Sequence, residues 1–334
     1  MRISSFSALR VSGWWLGLLA MLAACQSQPE ARATLTNAAH PPTGHFTGTL
    51  EVPGQPALRA ALEIRHPRPG HYDAELLVAT EPSLSFVADT LDFNQNTLHL
   101  ERPGRPGETL SLQQQGDFWR GTLTVDSVNY PTLLLRRGPA EPTVYRVRRD
   151  EVAGPSGTTL LFSPADESML GAALALFPTP LSAPNAPTWA DALARQGYTV
   201  LLLPAADSLS PLALTAALTY LRRTPGVDTA RVGAWATGSR ATQLATLLTQ
   251  PDVLNPQPAF VVAQEPLAPD AASRRTWHTL GQGGRVLGVY ESTDATTAST
   301  ANSLRLALGG RRGQVVRGQG KALITNVVDW LREL

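Results

Sequence analysis

The sequence predicts an α/β protein: a domain built on a parallel sheet, preceded by a small antiparallel β-sandwich or barrel domain. Three observations predict it. From Gly44 to Arg137, short alternating strands recur between Gly- and Pro-containing turns. From residue 145 onward, solid apolar runs alternate with helical segments, the pattern of a parallel sheet covered on both faces. Between the two, Gly138-Pro139-Ala140-Glu141-Pro142 is a boundary rich in turn formers.

Arg2 and Arg10 bracket a short positive region, and an apolar run follows, Val11–Ala24, too short for a comfortable membrane span. Leu22-Ala23-Ala24-Cys25 follows, then polar Gln26 and Ser27. These residues resemble the lipobox of bacterial lipoproteins. The resemblance implies a signal peptide over residues 1–24 and lipidation of Cys25. It also implies a membrane partner held through the lipid anchor, and a periplasm-facing place in the bacterial cell envelope. A plain secretory peptide with a chance cysteine is the alternative. Cys25 is the only cysteine, so no disulfide can form within one chain. Residues 25–43 are polar, Ala/Pro-rich and aperiodic, and read as a flexible tether.

In the all-β domain, residues 44–137, strands are expected at 46–52, 58–64, 72–78, 97–100, 109–112, 119–125 and 132–135. His66, His71 and His99 fall at strand ends and turns and read as surface residues. Phe118, Trp119 and Tyr130 are candidates for gripping a glycan, lipid or partner protein, against the plainer reading of core aromatics.

In the α/β domain, residues 145–334, apolar strands are expected at 173–177, 198–203, 231–235, 260–263 and 286–290. Helices are expected at 188–195, with Thr188 as N-cap, and after Ser210-Pro211. In the latter, Leu214, Ala217, Leu218 and Leu221 fit a 3.6-residue period. Further helices are expected from about Arg240, at 303–308 and at 324–331.

Composition excludes several classes. Net charge is +1 in 334 residues, so no bulk field argues for nucleic acid. There is no metal-ligand spacing, no Gly-rich phosphate loop after a strand and no C-x-x-C motif, so no cofactor is expected.

The most informative segment is Arg231–Ala245, RVGAWATGSRATQLA. It reads as a buried strand, a sharp turn and a helix, the local shape of a nucleophile elbow. With Thr219–Trp235, TYLRRTPGVDTARVGAW, it resembles the α/β-hydrolase family, bacterial esterase-like members with an N-terminal β-domain in particular. In that family a helix ending "YL…P-x-V/I-D" leads into "x-R-V/I-G-φ-W" before the elbow.

The resemblance implies a fold, and four site positions can be compared with it. The family's G-H-S-x-G-G turn is here Ala236-Thr237-Gly238-Ser239-Arg240-Ala241. Without a gap, Gly238 stands at the nucleophile position, and Arg240 at that of a glycine, where it is expected to crowd the turn. A one-residue insertion would instead align Ser239. The oxyanion-hole turn after residues 173–177 is Phe177-Pro178-Thr179-Pro180, whose prolines carry no N–H. The acid is matched by Asp294 in Glu291-Ser292-Thr293-Asp294, where the family's Gly has become Glu. The base is missing: no His follows His278, and Lys321 stands near its place. The sequence therefore predicts a hydrolase fold with a decayed catalytic set and a role in binding a small-molecule, glycan or protein ligand, or in structure. The alternative is an active esterase or peptidase-like enzyme using Ser239, Asp294 and Lys321.

Overall fold

Nine antiparallel strands form the first sheet: β1 (Gly44–Leu50), β2 (Leu58–Arg68), β3 (His71–Leu77), β4 (Phe86–Ala88), β5 (Leu91–Asn94), β6 (Thr97–Glu101), β7 (Thr109–Gln115), β8 (Phe118–Val125) and β9 (Val128–Gly138). This computed structural model describes residues 40–334 except 69, 79, 89, 153–156, 251–253, 268–269, 293 and 310–311. The predicted signal peptide, Cys25 and most of the tether lie outside the described residues. The strand order is β4-β3-β2-β1-β9-β8-β7-β6-β5. Alternation sets the inner face: Leu110 and Leu112 of β7 point inward and are fully buried. β3 and β5 come into contact, so the sheet curls around a core of Phe46, Leu62, Ile64, Leu98 and Trp119. Phe46 and Phe93 meet the Trp119 ring edge-on, each at 6.1 Å. β4 and β5 were not expected, being only three and four residues long.

The second sheet contains β10 (Tyr145–Asp150), β11 (Thr159–Pro164), β12 (Gly171–Phe177), β13 (Thr199–Leu202), β14 (Val227–Thr237), β15 (Phe260–Gln264), β16 (Arg285–Tyr290) and β17 (Gly313–Arg317). Their order is β10-β11-β13-β12-β14-β15-β16-β17. From β13 to β17 all neighbours are parallel. β10 and β11 are antiparallel to their neighbours, so the expected parallel sheet carries two antiparallel strands at one edge. β10 escaped the sequence pattern because YRVRRD is mostly charged; only Tyr145 and Val147 of this edge strand are buried.

Among the described residues six helices cover the sheet: α1 (Ala186–Ala194), α2 (Pro211–Arg223), α3 (Gly238–Thr249), α4 (Ala271–Gly283), α5 (Ala295–Leu308) and α6 (Gly320–Arg332). Strand alternation divides them between two faces. Ala173, Ala175 and Phe177 pack with residues of α2, α3, α4 and α5. Ala172, Leu174 and Leu176 pack with residues of α1 and α6. This strand order, with these helices on these faces, is the α/β-hydrolase fold.

The α1 start differs from expectation. Asn185 is the N-cap and Pro187 lies in the first turn, where its fixed φ suits a helix start. Thr188 is already helical. α4 was missed because only Trp277 and Gly281 of its residues are buried, too few to show a period. Its start was signalled by Asp270, whose carboxylate accepts from Ala272 N and Ser273 N.

Residues 41–334 form one compact unit. Buried charges join its two sheets. Glu75 of β3 accepts from Arg65 at 2.9 Å and from Arg195, just past α1, at 2.6 Å. Arg195 also donates to Asp191 at 3.0 Å, and the Tyr145 hydroxyl donates to the same carboxylate. Burial pushes the Tyr145 hydroxyl well above its ordinary pKa, so it stays a neutral donor. Breaking a buried pair by removing one partner leaves the other charged and uncompensated, at about 3–5 kcal/mol. Glu75 keeps Arg65 and Asp191 keeps the Tyr145 hydroxyl, so Arg195→Met is expected to lower the unfolding free energy by less than this, about 1–3 kcal/mol, seen as a lower midpoint in denaturant titration. An unchanged midpoint would refute this role.

Candidate functional site

The site lies where β12, β14, β15 and β16 end, at the carboxyl edge of the sheet, where open α/β sheets bind ligands. β14 runs to Thr237 and α3 begins at Gly238 without a connecting loop. Gly238 has φ +53°, a left-handed conformation that glycine adopts without steric cost. The tip of the turn is thus Gly238, in the ungapped register. A Cβ built there would meet Thr179 at 3.4 Å, an ordinary contact, so the glycine answers the backbone rather than a lack of space. Gly233, upstream in the strand, is there for space: a Cβ would strike the Phe260 ring at 2.3 Å.

Ser239 is the second residue of α3 and half-buried; its hydroxyl has no hydrogen-bond partner among the described residues. Arg240 was expected to crowd the turn. Instead its side chain turns beneath it, buried, over the Phe177 ring at 5.4 Å. It donates to Pro178 O at 2.9 Å and Pro204 O at 3.3 Å, tying the ends of β12 and β13 to α3. Burial pulls the guanidinium down to about 10, still protonated at neutral pH.

The turn after β12 keeps one N–H between its prolines, that of Thr179. It donates to Thr237 Oγ1 at 2.8 Å and Ser182 Oγ at 3.0 Å, and those two hydroxyls share a hydrogen bond of 2.5 Å. An oxyanion hole needs such a donor aimed at empty space. Here it is occupied by the protein's own side chains.

Asp294 caps α5, accepting from Thr297 N at 2.8 Å and Thr297 Oγ1 at 2.9 Å, and from the Ser292 hydroxyl. The Ser292 and Thr297 bonds pull its carboxyl down to about 2. Lys321 is the second residue of α6, exposed, with no ion pair or side-chain hydrogen bond among the described residues. No hydrogen bond joins any two of Ser239, Asp294 and Lys321. Of the three, only Ser239 lines the cavity at the elbow.

Sequence reasoning did not single out Glu291 as a site residue. It stands where the hydrolase motif has glycine. Its carboxylate accepts from Trp189 Nε1 at 2.7 Å and from Gln264 Nε2, while Gln264 Oε1 accepts from Trp235 Nε1 at 2.8 Å. The Glu291 N–H donates to Glu265 at 3.2 Å. This network links α1 to the ends of β14, β15 and β16. The Gly-to-Glu change was its one visible sequence signal.

A cavity of about 630 Å³ is lined by Thr179, Ser182, Thr237, Ser239, Glu265 and Glu291 among others, with no Lys, Arg or His in its wall. A second, of about 510 Å³, shares Asn185 and Glu291 with it and reaches Tyr130, Trp189, Gln319 and Gly320. Of the aromatic candidates, Trp119 is core, Phe118 is exposed and Tyr130 lines this second cavity. Among the described residues no three His, Cys, Asp or Glu side chains gather as a metal site.

No protein-family model matches the chain, and no curated protein matches it. Solved structures do. Thermogutta terrifontis esterase 2, phosphoramylated by tabun, is 15% identical with a TM-score of 0.40, over 59% of this chain and 97% of its own. A Klebsiella pneumoniae protein named as a dienelactone hydrolase is 11% identical with a TM-score of 0.44, over 57% of this chain and all of its own. A Bacteroides ovatus protein named as a dipeptidyl aminopeptidase IV is 10% identical with a TM-score of 0.40, over 82% of this chain and 57% of its own. At these similarities the fold assignment rests on the strand order and helix placement described above.

Two substitutions test the geometry. Gly238→Ala is expected to cost about 1–2 kcal/mol, the left-handed penalty alone, read by denaturant titration; no cost would mean the turn is not left-handed. Asp294→Ala is expected to destabilise at pH 7. A depressed carboxyl pKa contributes stability above its unfolded value of about 3.9 and loses it as pH falls through the folded value of about 2. The difference between wild type and variant should therefore shrink across that window. A difference independent of pH would refute the charged cap.

Proposed function

We propose that this chain is a lipid-anchored protein of the bacterial envelope whose hydrolase fold serves binding or structure rather than catalysis. The observation that carries this reading is Gly238, without a side chain, at the tip of the elbow. The engaged N–H of Thr179 and the absence of any His after His278 support it. In a serine-hydrolase triad, loss of the nucleophile or the base alone costs about 10⁶ in kcat, roughly 8 kcal/mol of barrier. An occupied oxyanion donor adds to that loss. Anchoring rests on Leu22-Ala23-Ala24-Cys25, and the polar stretch after it suits a tether between a lipid and the folded unit.

The two adjoining cavities give such a protein somewhere to bind. Their walls combine hydroxyls, amides and carboxylates with Tyr130 and Trp189, a lining suited to a polar or polyhydroxylated ligand, a glycan among them. The free hydroxyl of Ser239 in one wall keeps the catalytic alternative in view.

Labelling with a serine-reactive fluorophosphonate separates the two. The full chain is expected to remain unlabelled, and Gly238→Ser is expected to remain unlabelled as well, because no base activates the new hydroxyl. Labelling of the wild type that disappears in Ser239→Ala would overturn the reading and make Ser239 a nucleophile.

A further inference from the structure

The folded unit carries exposed apolar side chains at both edges of its second sheet. At the carboxyl edge, Leu181 is 92% and Leu267 62% exposed, both at the cavity of the elbow. At the opposite edge, the turn from β11 to β12 presents Met169 at 76% and Leu170 at 69%, and neighbouring Val144 is 54% exposed. The Ala165 N–H donates to Val144 O at 3.0 Å, which holds the two loops together. Contiguous exposed apolar patches mark interaction sites, and Met169 and Leu170 are consecutive in one turn.

Where the chain enters the fold distinguishes the two edges. Thr43, the last residue before β1, lies at the Met169 edge: it lines one cavity with Val144, Ala165 and Asp166, and its carbonyl accepts from Arg136 at 3.1 Å. Cys25 lies 18 residues earlier. A coil of that length spans about 23 Å on average and at most about 60 Å when extended. A lipid on Cys25 would hold this edge near the membrane at high effective concentration, so a weak contact would suffice. The charges beside the patch are mixed, Arg136 and Arg146 against Asp166 and Glu167, so apolar insertion rather than lipid charge would dominate.

We propose that Val144, Met169 and Leu170 form a membrane-contacting edge that rests at headgroup level on the bilayer to which the chain is tethered. This rests on the lipid-anchor reading. The carboxyl edge, with its cavities, then faces away from the lipid: Met169 and Leu181 flank the two ends of β12, whose seven residues span about 23 Å.

The test uses the full lipidated chain in vesicles of phosphatidylethanolamine and phosphatidylglycerol. Met169→Cys and, separately, Leu181→Cys carry an environment-sensitive fluorophore, with Cys25 blocked by its lipid. The expected result is blue-shifted emission at 169, quenched by doxyl-labelled lipid and shielded from aqueous iodide, with the label at 181 open to iodide. Equal quenching at the two sites, or the reverse order, in protein that floats with the vesicles overturns the membrane edge and leaves the anchor standing. Protein that does not float overturns both.

Discussion

The hydrogen bond from the Thr179 N–H to the Thr237 hydroxyl is the constraint on which the site depends. β12 and β14 are neighbouring parallel strands, and their carboxyl ends open the crevice where such sheets bind ligands. A backbone donor at that edge must find a partner, because an unmade buried hydrogen bond costs about 1–3 kcal/mol. Enzymes of this fold aim such a donor at a developing oxyanion. This chain satisfies it with Thr237 and Ser182 instead. The other departures around it are consistent with that choice. Arg240 fastens the Pro178 carbonyl from below, and Gly238 carries the strand into the helix without a side chain at the tip.

Glu291 does for the far side of the crevice what Thr237 does for the near side. Its carboxylate collects two donors, Trp189 and Gln264, and so fixes α1 against the ends of β15 and β16. The indole of Trp235 reaches the same network through Gln264. The loop after β16 thereby contributes the Glu291 carboxylate to the wall shared by the two cavities, while Asp294 caps α5. These bonds join the strand ends to one another and to α1, so the crevice is walled by side chains held in place.

Much of the fold was legible in the sequence because burial writes a period. Leu214, Ala217, Leu218 and Leu221 all face the core of α2, and Ala173–Phe177 is as solidly buried as its composition requires. Sparse burial hid the charged edge strand β10 and the mostly exposed α4, and shortness hid β4 and β5. β11 was missed although five of its six residues are buried. At the site, the register of Gly238 was legible because a positive-φ turn leaves a glycine behind. The paths of Arg240, Gln264 and Glu291 were not. Their partners lie tens of residues away, and a side chain's choice between neighbouring carbonyls and carboxylates is made only once the strands are paired. The same holds for Thr179, whose flanking prolines drew attention from the one N–H between them.

Amide hydrogen exchange reads whether the Thr179 N–H is engaged by the protein's own hydroxyls. A donor engaged by Thr237 and Ser182 exchanges only when the edge of the sheet opens, so its protection should match that of its neighbours in the core of β12 and collapse in Thr237→Val with Ser182→Ala. Rapid exchange of Thr179 in the native protein would mean instead that the N–H points into an open hole, free of both hydroxyls.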